Sequence, residues 1–563
     1  MALRLLILAP LVLVGCNGDV ACGEGTHEEG GLCVPDSEEG DTDTDADGDT
    51  DADTDGDTDA DTDADTDSDT DSDADQDGDG FTVDEDCDDT DADVNPDATD
   101  VLTRDMNCDG SISVDSLRWA EAELVGSTGD LAGFSVSSAG DVDGDGLDDV
   151  LVGAYLNDAG GEDAGAAHVV LGSTLAGSDE IDLSAADHSF IGDRAGETAG
   201  YAVASAGDVD GDGLGDFLIG APRMDEVLDA IDSYGTAYLV LGDSVDGATT
   251  ELSEADYIFT PQSAIATTGW SVASAGDVDG DGLADVFLGS KRGTSNYSAG
   301  QAHIFLGAKL SSTADLPLTW ASHRIDGVGE RAYFSATLAG GGDMDGDGLD
   351  EVIGGAYDTD TGNAYLFTGA TLSSNTVFAA TDADVVMLGL GNTRGGLALS
   401  GDVDGDGTAD LMVGLPSSSR VCIWLTPDLA DSTGSGCNGA THAIIGGNRL
   451  GISASYAGDV DGDGLDDVLL GADRDDDGGW SDQGKAHLIF GADIIRSGEV
   501  IDLTEDDVGA SAMGEADQDY AGFSVSGAGD VDGNGSADLI VGAPQNDSGG
   551  AEAGKAYLLL SGW

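Results

Sequence analysis

Residues 140–154 read GDVDGDGLDDVLVGA, and five of these fifteen residues are aspartate. Carboxylates packed this closely repel one another, so the stretch requires a cation. Asp141, Asp143, Asp145 and Asp149 fall at positions 1, 3, 5 and 9 of a tight loop. Gly144 and Gly146 let the backbone turn where a Cβ would clash. Hard oxygen ligands from alternate residues, with the Leu147 carbonyl at position 7, make the ligand pattern of a Ca²⁺ loop. An EF-hand begins the same way but closes on a bidentate Glu at position 12, between two helices. Position 12 here is Val152, inside a β-branched run that predicts a strand. The preceding GFSVSSAG alternates apolar and small polar residues, which also predicts a strand. The expected unit is therefore a strand–calcium loop–strand hairpin.

The loop returns six more times. The expected ligand sets are Asp208, Asp210, Asp212, Leu214 and Asp216; Asp277, Asp279, Asp281, Leu283 and Asp285; and Asp343, Asp345, Asp347, Leu349 and Glu351. Then come Asp402, Asp404, Asp406, Thr408 and Asp410; Asp459, Asp461, Asp463, Leu465 and Asp467; and Asp530, Asp532, Asn534, Ser536 and Asp538. The position-7 residue contributes its carbonyl in each set. Asn534 replaces an aspartate at position 5 and keeps an oxygen ligand. A hairpin holding four acids and no metal destabilises itself, so ion binding becomes folding energy, and calcium is expected mainly as scaffold.

The elements that must position these loops repeat with them. The first aspartates lie 67, 69, 66, 59, 57 and 71 residues apart, a period of solenoids and propeller blades. Five units carry a large apolar residue seven before the first Asp: Phe134, Tyr201, Trp270, Ile452 and Phe523. A strand such as DFLIGAP follows the loop, then a third such as GAAHVVLG and a fourth such as HSFIG. Four strands per unit and seven units predict an all-β, seven-bladed β-propeller over 119–563. The last unit stops after its third strand, GKAYLLLSGW, and the upstream WAEAELVGS (119–127) is expected to supply the fourth and close the ring. Closure removes exposed sheet edges.

These phrases, above all GFSV…GDVDGDG…DVLVGA and GDVDGNGSADLIVGAP, resemble the FG-GAP repeat family, best known from the β-propellers of integrin α subunits. The resemblance implies calcium in the hairpins on one face of the disc and partners bound by loops on the opposite face. It also extends to propellers attached to some phospholipases, so fold alone does not fix function.

The N-terminus adds an address. MALRLLILAPLVLVGC holds one early Arg, a short apolar run and a small residue before Cys16, the pattern of a cleavable signal over 1–15. Leu-Val-Gly-Cys resembles the lipobox of bacterial lipoproteins, which implies lipidation of Cys16, and several acyl chains anchor stably. Asn17 in place of Asp points to the outer membrane, and surface exposure is expected. A short Cys-containing segment (16–40) follows. From Asp41 to Asp79 every odd residue is Asp, twenty in all, with nothing apolar to bury. The segment is expected to be a disordered, self-repelling linker with a reach of roughly 130 Å. Residues 75–110 resemble a short metal-binding motif of myxobacterial surface proteins. That resemblance implies Asp75, Asp77, Asp79, Asp86, Asp88 and Asp89 as ligands, with a metal-free acidic knot as the alternative.

The formal charge is −98, from 17 basic and 115 acidic residues. Such a field repels nucleic acid and anionic lipid and draws divalent cations, with a salt-adapted, solvated surface as the alternative reading of part of the charge. Setting Cys16 aside leaves six cysteines, and proximity favours Cys22–Cys33, Cys87–Cys108 and Cys422–Cys437.

No catalytic constellation is expected. Six of seven histidines sit at two repeat-equivalent strand positions, His168, His303 and His487 in third strands and His188, His323 and His442 in fourth strands. Repeated strand positions pack, and His27 stands alone. There is no Gly-x-Ser-x-Gly elbow and no phosphate loop. Binding is expected on loops 155–165, 472–484 and 543–554, which differ between units, with Trp480 as an exposed anchor. The leading expectation is adhesion to an extracellular protein or glycan. The alternatives are a structural envelope protein without a specific partner and a calcium-dependent carbohydrate-active enzyme.

Overall fold

The computed structural model describes residues 26–29, 32–35, 112–114, 117 and 120–561, apart from 176–177, 224–233, 246, 262, 264–265, 293–298, 311–313, 330–331, 357–361, 392–394, 426–435, 477–480, 499 and 505–507. The signal peptide, Cys16, the aspartate ladder, the 75–110 motif and Trp480 lie outside the described residues, as do the pairings of Cys22 and Cys87. The chain divides into two compact units, 1–70 and 71–563. In the first, Thr26–Glu29 pairs antiparallel with Leu32–Pro35. Among the described residues no helix is long and apolar enough to cross a membrane.

The second unit is an all-β propeller of seven blades. Blade 1 orders Ser135–Gly140, Asp149–Ala154, Ala166–Val170 and His188–Ile191 from inside to outside, all antiparallel. Blades 2 to 6 repeat that order with inner strands Ala202–Gly207, Thr268–Gly276, Phe334–Gly342, Leu397–Gly401 and Ser453–Gly458. Blade 7 takes Ser524–Gly529, Asp538–Ala543 and Lys555–Leu559 from after blade 6, and Ala122–Val125 from just before blade 1. The upstream strand therefore closes the ring as expected. Leu117, fully buried, packs into the core between blades 6 and 7.

The second strands read as continuous apolar runs because both of their faces are covered. Asp149–Ala154 and its six equivalents are buried at every residue. The core sits between blades, as where Leu151 and Phe190 of blade 1 meet Phe217, Ile219 and Tyr238 of blade 2. The approach is closest at glycines: a Cβ on Gly153 would run into the Gly200 carbonyl of the next blade. Just before each loop the inner strand slips register, as between Ser138 and Gly140, whose φ is +73°. This bulge turns the chain into the loop.

Most blades also hold a fifth strand that the sequence pattern does not announce. Residues from the 3–4 connection of one blade lie parallel to the outer strand of the preceding blade: Glu180–Asp182 on Ala122–Val125, Thr249–Glu251 on His188–Ile191, Asp315–Pro317 on Tyr257–Thr260. Val377–Ala379 and Val500–Asp502 do the same for blades 3 and 5, and Ile112–Val114 serves blade 6. Three residues are too few to show a period-two pattern, so these straps are legible only in three dimensions. In blade 5 the expected Cys422–Cys437 disulfide is present, with Cα atoms 5.7 Å apart.

Candidate metal centres and the opposite face

Each aspartate loop is held by its own carboxylates. Asp141 Oδ1 accepts the amides of Gly144 (2.6 Å) and Asp145 (3.1 Å), and its Oδ2 accepts that of Gly146 (2.9 Å). Asp143 Oδ1 accepts from Asp145 N–H at 3.1 Å, and Asp145 Oδ1 from Leu147 N–H at 3.0 Å. The pattern recurs in the other loops, for example at Asp459, Asp461 and Asp463. In blade 7, Asn534 Oδ1 accepts from Ser536 N–H at 2.8 Å and so takes the role of the missing aspartate.

The position-9 acid enters from the second strand and is buried. Asp149 accepts Val142 N–H and Gly172 N–H, both at 2.9 Å, tying the loop to the end of the third strand. Burial, then the nearby Asp143 and Asp141, push its carboxyl up to about 7. Asp216, Asp285, Glu351 and Asp467 also rise to about 7 and Asp538 to about 6, with burial the largest cause at each. A bound divalent cation would reverse that cost.

Carboxylate oxygens of positions 1, 3 and 9 converge to within 4.8 Å of one another in Asp141/Asp143/Asp149, Asp208/Asp210/Asp216, Asp277/Asp279/Asp285 and Asp402/Asp404/Asp410. In blade 4 the group is instead Asp343, Asp345 and Asp347. Position 9 there is Glu351, whose oxygens accept Met344 and Gly369 amides at 2.6 and 3.2 Å. An all-oxygen, anionic donor set of this kind suits a hard divalent cation.

The loops are also joined to one another. The position-8 amide of each blade donates to the position-1 carbonyl of the blade before it: Asp148 to Asp530 (3.0 Å), Gly215 to Asp141 (2.8 Å), Ala284 to Asp208 (3.0 Å) and Asp350 to Asp277 (3.1 Å). Ala409 to Asp343 (3.0 Å), Asp466 to Asp402 (3.1 Å) and Ala537 to Asp459 (3.2 Å) complete the circle. At three junctions the position-8 side chain adds a second bond, Asp148, Asp350 and Asp466 accepting the amides of Asp530, Asp277 and Asp402.

The far ends of the inner strands build a different surface. Among the twelve described basic residues from Arg194 onward, only Lys309 and Arg496 lie in connections on the loop side, and Arg324 sits within an outer strand. The other nine, Arg194, Arg223, Lys291, Arg292, Arg420, Arg449, Arg474, Lys485 and Lys555, lie at strand ends or connections on the opposite side. Around the axis on that side, Phe523, Phe134, Tyr201 and Trp270 form an arc, with successive ring centroids 4.8, 5.0 and 4.9 Å apart. Their seven-before-Asp spacing was visible as a repeat cue, but an arc around a cavity follows only from ring closure.

The expected binding loops are more alike than their sequences suggest. In 155–165 and 543–554, Asn157 and Asn546 each cap the turn two residues on, at 2.9 Å. Asp158 and Asp547 each accept an amide five residues on, at 2.9 and 2.8 Å. These are one braced turn used twice, and only part of 472–484 is described. The histidines hold structural places. His188, His323 and His442 donate through Nδ1 to carbonyls of the following blade's connection, at 2.9, 3.0 and 3.3 Å, and His168 pairs with Ser189 Oγ at 2.9 Å.

Seven blades, each with an acidic loop on one face, define a class of acidic-loop propellers. Four of these blades match the FG-GAP repeat family, over residues 132–170, 199–240, 268–305 and 521–559. The chain is integrin-α-like in sequence. It is 32% identical to integrin alpha-5 of Xenopus laevis over 185 residues, covering 32% of this chain and 16% of that protein. It is 29% identical to integrin alpha-PS2 of Drosophila melanogaster over 228 residues (38% and 15%) and 28% identical to integrin alpha pat-2 of Caenorhabditis elegans over 253 (41% and 18%). The chain thus matches less than a fifth of the length of these relatives. A solved structure, the Dos1 propeller, aligns with 81% of this chain and 97% of its own at 10% identity and a TM-score of 0.38.

Proposed function

We propose that this protein is a calcium-stiffened propeller of the bacterial envelope, anchored in the outer membrane through lipid on Cys16 and held off by the aspartate linker. It binds an extracellular protein or glycan and acts in adhesion, without enzymatic turnover. The observation that carries this reading is the convergence of positions 1, 3 and 9 on one point in blades 1, 2, 3 and 5. Each ion would be held by those carboxylates, with positions 5 and 7 completing the set, and would supply positive charge where burial opposes the anions. The likeness to integrin α subunits and the gathering of bases on the opposite side support a binding role for that side.

Thermal unfolding of the lipid-free chain with millimolar Ca²⁺, with Mg²⁺ and with a chelator tests the calcium reading. Extracellular calcium modules bind at about 10⁻⁴–10⁻³ M, so seven sites together shift the midpoint by many degrees. An unchanged midpoint would sink it. Cys16→Ser should move the protein from the membrane to the soluble fraction.

A further inference from the structure

We propose that the axial pocket on the side away from the aspartate loops is a binding site for a uronic-acid unit of an acidic polysaccharide. This inference rests on the ligand-binding reading above and gives it a place and a ligand chemistry.

The pocket encloses about 430 Å³, within the range of small-ligand sites. One wall is the aromatic arc from Phe523 to Trp270, each residue half-buried. The other wall is cut back, because blades 4 and 6 place Ala336 and Ile452 where their neighbours carry rings. The ring of side chains is therefore lopsided, and the missing aromatics leave the space. Ser524 brings a hydroxyl to the lining, and its Oγ already accepts the Val136 amide at 3.1 Å, which leaves its proton as a donor; the Thr337 hydroxyl is buried against Gly355.

Charge selects the ligand. In a chain with 115 acids and 17 bases, this lining holds two cations, Lys291 and Arg449, and no carboxylate. Lys291 Nζ lies 3.5 Å from the Trp270 ring centroid and 5.5 Å from that of Tyr333, which fixes its charge over the aromatic wall. Arg449 is oriented from behind by buried Asp473, Nη1 to Oδ2 at 2.7 Å. A pyranose offers a flat C–H face to Phe134 and Tyr201, a hydroxyl to Ser524, and a carboxylate to Lys291. An acidic peptide side chain would use the cation and leave most of the aromatic wall uncovered, so the wall favours the sugar.

The test is calorimetric titration of the full chain in calcium with three probes: hexagalacturonate, its methyl ester and hexaglutamate. The acidic sugar is expected to bind, with an affinity that falls as salt rises. The ester should bind at least about tenfold more weakly, and Lys291→Gln should weaken the acid about tenfold while leaving the ester unchanged. Trp270→Leu should weaken both. An unchanged unfolding midpoint shows that each variant is folded. Acid binding indifferent to Lys291→Gln would overturn the pocket and leave a ligand bound elsewhere. Hexaglutamate binding equally tight and equally dependent on Lys291 would overturn the sugar. Failure of all three probes, with binding to other components of a glycan or matrix-protein array, removes this proposal alone. Silence on the whole array removes the ligand-binding reading with it.

Discussion

Three buried histidines weaken the folded ring as pH falls, outweighing buried Asp473 and Asp519, whose carboxyls burial holds up to about 6 and whose protonation favours the fold. Burial lowers His168 and His303 to about 4 and His487 to about 3; Arg324 adds to the shift at His303 and Lys485 at His487. Asp182, Asp326 and Asp475 face these rings and do not restore their basicity. The unfolded chain takes up these protons near pH 6.5 and the folded chain does not. Their contribution is therefore complete above about pH 6.5 and is lost as pH falls toward 3–4. In saturating calcium, the unfolding midpoint should start to drop below about pH 6.5, ahead of the carboxylate range. Blades 2, 4 and 7 carry Tyr238, Tyr365 and Tyr557 at the equivalent position, so replacing all three histidines by tyrosine should flatten that slope. The repeat spacing made the packing role of these histidines legible. Their low basicity was not, since it comes from covering strands that the spacing does not reveal.

At the scale of elements, the loop and the strand carry separate vulnerabilities. Asp141 accepts three loop amides and Asp145 accepts one. In saturating calcium, Asp141→Ala should lower stability more than Asp145→Ala, measured by denaturant unfolding, and the gap should narrow in chelator, where losing either carboxylate also relieves repulsion. Gly153→Ala pushes a Cβ into the Gly200 carbonyl of the next blade and should cost about 1–3 kcal/mol. Gly498→Ala meets open space and should stay within about 0.5 kcal/mol. The loop spacing was legible because a nine-residue loop is local, whereas the hydrogen-bonded circle of loops joins residues a whole repeat apart. Position 8 shows the difference: Asp148, Gly215 and Ala284 look unrelated in sequence, yet all donate the same bond, because the backbone makes it.

For the whole molecule, closure depends on one pairing between the two ends of the propeller. Lys555, 2% exposed, holds Glu123 at 2.8 Å and Glu515 at 3.3 Å, linking the strand from each end to blade 6. Lys555→Met strands two partly solvated carboxylates and should cost about 2–3 kcal/mol, lowering the midpoint of the entire ring in one transition. Closure was legible from an unpartnered third strand and a spare strand upstream. The straps between blades were not, and they bear on how the ring carries load. The chain reaches Ala122–Val125 only after Ile112–Val114 has laid itself along the edge of blade 6 and Leu117 has sunk between blades 6 and 7. Tension drawn through the N-terminal chain therefore falls first on a three-residue strap whose failure leaves the circle intact. The propeller thus carries a mechanical fuse in series with its clasp, and a pulled molecule should yield first by a short extension before the ring tears.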